Sequence, residues 1–277
     1  MYVENRSRGG CGAKVIIAIV IAAISVISYF STSSKNPITG ETQHIDMSVD
    51  QEIAIGLQAA PEMAAEFGGL DPDPEARRLV EDIGQSVVKS SKAGATPYRF
   101  EFHALADDQT INAFALPGGQ VFITRALLRR LVSRGQLAGV LGHEVGHVVA
   151  RHSAEHIAKA RLTEGLTGAA VIATYDPRNP SSRGSAAIAS MIGQLVNLRF
   201  SRNDELEADR LGVDLMAEAG YDPRAMIEVM EILKQASSGG REPEFFATHP
   251  NPENRIAKLT EIIAKKYPNG VPSTLHR

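Results

Sequence analysis

One cysteine stands in 277 residues, Cys11. A single thiol forms no intramolecular disulfide and cannot build a cysteine-rich zinc module, so any metal site here must use His, Asp and Glu. A basic excess is also lacking. Twenty-nine Lys and Arg stand against 32 Asp and Glu, for a formal net charge of −3, which argues against a nucleic-acid partner. No internal repeat recurs, and no appended repeat domain is expected. Nor is the chain short of apolar residues: 43% are hydrophobic and 22% charged, so a packed core is expected rather than disorder. What the chain does have is eight histidines, and their placement is informative.

Arg6, Arg8 and Lys14, opposed only by Glu4, precede an unbroken apolar and small-residue run from Val15 to Phe30. As a helix this run reaches roughly 24 Å, and Gly12, Ala13 and a snorkelling Lys14 extend it towards a bilayer core of about 30 Å. Residues 1–30 read either as a signal anchor, held by residues 14–30, or as a signal peptide cleaved near Ser31 and Ser33. Both readings carry the remaining chain across a membrane. Residues 31–47 read as a polar linker, and residues 48–277 as one catalytic domain.

Ser48–Leu57 looks like a capped helix start, and a further helical pattern covers Arg77–Ser90. Strands are expected at Tyr98–Leu105, Thr110–Leu116 and Gln120–Thr124, the last two joined through Pro117-Gly118-Gly119. Helices are expected at 125–132, 136–160, 186–200, 203–219, 223–236 and 252–266. The class is α+β and predominantly helical, with a small sheet beside the 136–160 helix.

That helix carries His143-Glu144-Val145-Gly146-His147. Histidines four apart lie about 40° apart around a helix, so both imidazoles can meet one ion while Glu144 reaches a water on it. A second pair, His152 and His156, falls on the opposite face if the helix is regular, and is read as polar packing. A catalytic zinc site takes a third protein ligand. Ala150 and Ser153 occupy the positions at which one extended zinc motif has glycine and a third histidine. Glu164 has no matching acidic pattern around it, and Cys11 lies ahead of the membrane segment. The acidic stretch Asp204–Asp209 remains. There Glu205 and Asp209 share a face and Glu207 points away, which suits a ligand and a carboxylate that orients a metal-bound histidine.

Here the chain resembles a family, the membrane-associated gluzincin peptidases that include the HtpX, BepA, LoiP and Oma-type proteases. The resemblance rests on HEVGHVVARHSAE (143–155), SRNDELEADRLG (201–212) and FATHPNPENRI (246–256), with NPITGETQ (36–43) and NAFALPGGQVFITRALL (112–128) adding to it. It implies a zincin-like metallopeptidase domain with one zinc ion on His143, His147 and Glu205, Glu144 as general base and Asp209 behind the ligands. His249 matches a histidine that approaches and gates the zinc, and Arg255 an arginine near the substrate. His249 and Arg255 are also the candidates for stabilising an oxyanion. The segment Asn112, Ala113, Phe114, Ala115 is suited to pairing with an extended substrate strand.

The implied activity is a metalloendopeptidase acting on unfolded or misfolded envelope proteins, on the periplasmic side of a membrane. The competing expectation is a chaperone-like assembly factor with a latent, His-gated zinc site. Residues 186–200 are expected to form an amphipathic helix over the site.

Overall fold

The computed structural model describes residues 9–174, 200–237, 243–250 and 254–277. Helix α1, Gly9–Ser31, opens the described chain. It is long and apolar enough to cross a membrane, and its aliphatic residues point outward, with Ile16 63% and Ile27 68% exposed.

Strands β1 (Ser33–Lys35) and β2 (Thr42–His44) follow as an antiparallel hairpin within the stretch expected to be a linker. The hairpin buries Asn36 and Gln43. Asn36 Nδ2 donates to Val149 O at 2.8 Å, and Gln43 Nε2 donates to Ala150 O. Those are carbonyls at the end of the HExxH helix, which no turn of that helix satisfies.

Helix α2, Val49–Glu66, starts from a capping box between Ser48 and Gln51. Helix α3, Pro74–Lys89, starts from Asp73, with proline in its first turn and Val80, Ile83, Gly84 and Val87 buried on one face. Strands β3 (Glu101–Leu105), β4 (Ala113–Ala115) and β5 (Gln120–Thr124) form a sheet of order β3-β5-β4. β3 runs parallel to β5 and β4 antiparallel to it. Two strands are shorter than expected because other groups take their ends. Gln85 Nε2 donates to Phe100 O, and the Gln109 and Thr110 amides donate to the Asp107 carboxylate. Gly118 turns the β4–β5 connection at φ +84°, where a Cβ would lie 2.4 Å from Ile53 Cα.

The rest is helical: α4 (Arg125–Leu128), α5 (Arg134–Val149), α6 (His152–Thr174), α7 (Arg202–Glu218), α8 (Ala225–Ser237), α9 (Phe245–Thr248) and α10 (Arg255–Lys266). This is an α+β fold in which helix predominates. The expected helix at 186–200 lies outside the described residues.

One helical expectation needs correction. The run 136–160 is two helices, α5 and α6, broken at Arg151, whose φ of +59° no α-helix tolerates. Arg151 is held there by its own side chain, with Nε donating to Glu52 Oε1 at 2.8 Å and Nη2 to Met47 O at 3.1 Å. Every residue of α5 from Gly135 to Val149 is buried. The helix packs among the sheet, α3, α7 and α8, and its crossing with α7 is close because Gly146 lies against the Ala208 backbone.

Candidate metal centre

His143 and His147 project from the same side of α5 into the crossing with α7, and their Nε2 atoms lie 3.1 Å apart. Glu205, one turn into α7, sets Oε2 at 3.5 Å from His143 Nε2 and Oε1 at 3.4 Å from His147 Nε2. Zinc holds N and O ligands at about 2.0–2.2 Å, so neighbouring ligand atoms of a tetrahedral site lie roughly 3.3–3.5 Å apart. The three side chains therefore outline one face of such a site. His249, just past α9, brings Nδ1 to 3.4 Å from His143 Nε2 and 3.0 Å from Glu205 Oε1. All four ligand atoms fall within 4.8 Å of one another, and all four residues are buried.

The charges around this point fit a divalent cation. Among the described residues, three carboxylates, those of Glu144, Glu205 and Asp209, are buried beside one guanidinium, that of Arg255, so acidic groups outnumber the fixed cation. Both oxygens of Glu144 and Nε2 of His249 are buried without a hydrogen-bond partner among the described residues, an arrangement that costs free energy unless something else satisfies them. Burial is the main influence on Glu144 and pushes its carboxyl up. Burial and Arg255 disfavour the charged form of His143, yet Asp209 and Glu205 outweigh them and raise its pKa to about 9. The pocket favours positive charge at that ring. The donor set, two imidazoles and a carboxylate with a third imidazole at hand, suits zinc.

Behind His143, Asp209 Oδ1 lies 3.0 Å from Nδ1. Arg255, the first residue of α10, grips Asp209 with a two-pronged contact, Nε to Oδ2 and Nη2 to Oδ1, each 2.7 Å. Its Nη1 lies 3.0 Å from Glu205 Oε2. Arg255 was expected near the substrate, as an oxyanion donor. It is buried between two carboxylates of the centre, Asp209 and Glu205.

On the other side, Phe200 stacks on the His147 ring with centroids 4.0 Å apart. His152, expected on the opposite face, sits beside His147 with the two Nδ1 atoms 2.9 Å apart. The break at Arg151 brings it there. Its Nε2 is 3.3 Å from Glu207 Oε2, and His156 Nε2 is 2.7 Å from Asp204 Oδ2. Glu207 does point away from the ligand cluster, as its helical phase requires. The sequence reasoning missed Phe200 and the His152–Glu207 contact. The signal for the second was a histidine five residues past His147, useful only to a reader who knew the helix ended between them.

Among the described residues β4, with Ala113, Phe114 and Ala115, is an edge of the sheet, and Asn112 precedes it with a buried Oδ1 that has no partner there. Ile111 O accepts from Phe245 N at 3.1 Å, so the segment bearing His249 is hydrogen-bonded to the chain just ahead of that edge.

A helix that presents two histidines and a glutamate at the HExxH spacing, completed by a glutamate from a second helix, defines a metallopeptidase-type centre. The chain belongs to peptidase family M48, whose model matches residues 74–263. It is 30% identical to the β-barrel assembly-enhancing protease of Escherichia coli (strain K12), an alignment covering 94% of this chain and 54% of that protein. It is 32% identical to the mitochondrial metalloendopeptidase OMA1 of Schizosaccharomyces pombe, over 86% of this chain and 68% of that protein. To the mitochondrial metalloendopeptidase OMA1 of Homo sapiens it is 29% identical, over 86% and 47%. The chain thus spans little more than half the length of the E. coli protein.

Proposed function

We propose that the protein is a zinc-dependent endopeptidase that cleaves unfolded or misassembled proteins of a cell envelope, anchored by α1 with its catalytic part on the periplasmic side. The observation that carries this reading is the convergence of His143, His147 and Glu205, with donor atoms 3.1–3.5 Å apart, beside Glu144, whose two oxygens are buried and unpartnered among the described residues. The names and family of the relatives support the peptidase class, and those of the β-barrel assembly-enhancing proteases support an envelope role.

Zinc at this centre would lower the pKa of a water towards about 7 and polarise the scissile carbonyl. Glu144 takes the proton of the attacking water and delivers it to the departing amine. Asp209, fixed by Arg255, orients His143, so Arg255 positions the centre instead of contacting substrate. β4 offers main-chain pairing to an extended segment, which favours unfolded chains because a folded substrate has no free strand to offer.

His249 gates the centre. Its Nδ1 lies among the candidate ligand atoms, 3.0 Å from Glu205 Oε1, and its segment is held through Phe245 N on Ile111 O and through Phe200 N on Thr248 O at 3.0 Å. A strand adding beyond β4 competes for Ile111 O and so loosens the segment that carries His249. His249→Ala is therefore expected to raise cleavage of an unfolded substrate.

The decisive test is Glu144→Gln on the full chain with an unfolded protein as substrate. Loss of at least about 10²-fold in rate is expected from removal of the base, with zinc uptake retained. Cleavage at the wild-type rate would refute the mechanism.

A further inference from the structure

We propose that His152 and Glu207 form a proton-fixed relay that sets the tautomer and orientation of His147 as a zinc ligand. The proposal rests on the zinc reading above and adds two positioning residues to it.

The two Nδ1 atoms of His147 and His152 are 2.9 Å apart, and one of them must carry a proton for a hydrogen bond to exist. A ligand nitrogen carries none. With Nε2 of His147 turned towards His143 and Glu205, the proton of the neutral ring stands on its Nδ1 and is donated to His152. His152 then accepts at Nδ1, so its own proton stands on Nε2, which faces Glu207 Oε2 at 3.3 Å. Each donor has one acceptor, and no other arrangement of the two protons satisfies all three groups. Metal-bound histidines generally give their second nitrogen to a carboxylate, a carbonyl or water. Here an imidazole is interposed, and the carboxylate lies one residue further out.

The backbone is built for this contact. Were α5 continuous, His152 would stand about 140° around the helix from His147 and face away. The left-handed residue Arg151 turns the chain so that the two rings meet. A side chain other than glycine is disfavoured in that conformation. The contacts that offset this come from four residues: Glu52 and Met47 O on the Arg151 guanidinium, and Asn36 and Gln43 on the last carbonyls of α5. His156, one turn further along α6, reaches Asp204 and touches no ligand. It provides the matched control.

The test measures zinc affinity by chelator competition on the detergent-solubilised full chain, together with the visible spectrum of the cobalt-substituted protein. His152→Gln keeps a polar group for Glu207 but withdraws the acceptor from His147. It should weaken zinc binding about 10–100-fold and shift the cobalt bands. His152→Asn, whose oxygen falls where Nδ1 stood, should recover most of that loss. His156→Ala should leave affinity and spectrum unchanged. Wild-type affinity in His152→Gln, or an equal loss in His156→Ala, would overturn the relay. A wild-type chain that takes up no zinc would overturn the zinc reading itself, and the relay with it.

Discussion

His143 and His147 are four residues apart on one buried helix, and they are supported by different chemistry. Behind His143 stand full charges: Asp209 on the ring and Arg255 forked onto Asp209, all without access to water. Behind His147 stands a second imidazole, that of His152, with its carboxylate, Glu207, at a partly exposed position. Buried charges are costly to desolvate, and they repay that cost only while every partner is present. The His143 side should therefore fail as a unit and take the fold with it. The His147 side should loosen the metal and leave the fold standing.

The largest expected effect tests the charged side. Arg255→Ala leaves Asp209 and Glu205 buried without their cation and should cost about 3–5 kcal/mol of stability, measured by denaturant unfolding of the zinc-free protein. Glu207→Ala in the same assay should cost far less, because the side chain is only partly buried and its removal strands no buried charge comparable to Asp209 and Glu205. Equal losses would break the comparison. Next in size comes Asp209→Asn. The amide oxygen still accepts from His143 Nδ1, but the charge that Arg255 grips is gone, and zinc affinity should fall about 10–100-fold. Chelator competition measures it, and Glu207→Gln, which also keeps an acceptor, should lose less.

How much of this was legible in the sequence depended on whether a residue's role is periodic. The HExxH spacing and the Glu205–Asp209 pair follow from 3.6 residues per turn, and the structure brings those residues together. The β5 strand and the Ser48 cap were legible too, from the Pro117-Gly118-Gly119 turn ahead of a short apolar run and from capping chemistry. The break at Arg151 was not. Arginine is no marker of a left-handed conformation, and it is held there by Glu52 and Met47, about a hundred residues earlier in the chain. The β1–β2 hairpin read as linker for a related reason. Its buried residues, Asn36 and Gln43, are polar and are buried by hydrogen bonds to α5 rather than by apolar packing. His249 sits in a turn with no periodic neighbours, so only the resemblance pointed to it. Placement in the cluster came from the coordinates.

The smallest effects sharpen the comparison at the backbone. Each histidine of the motif follows a glycine or lies beside one at the α5–α7 crossing, but the two glycines are not equally confined. A Cβ on Gly146, next to His147, would lie 2.9 Å from Ala208 O and 3.2 Å from Ala208 Cα. A Cβ on Gly142, next to His143, would lie 3.4 Å from Gly212 O. The first contact is with backbone that cannot step aside without moving α7, so Gly146→Ala forces the helices apart. Strain of about 1–3 kcal/mol, less a helix-propensity gain of about 1, leaves a net loss of up to about 2 kcal/mol. The separation also carries Glu205 away from His147, and zinc affinity should drop with stability. Gly142→Ala meets only ordinary contact and keeps the propensity gain, so its stability should stay within about 1 kcal/mol of wild type. Thermal unfolding of the two variants with and without zinc decides the matter. If Gly142→Ala were the more damaging, the crossing would be tightest at the charged side, and His147 rather than His143 would hold the better-buffered position.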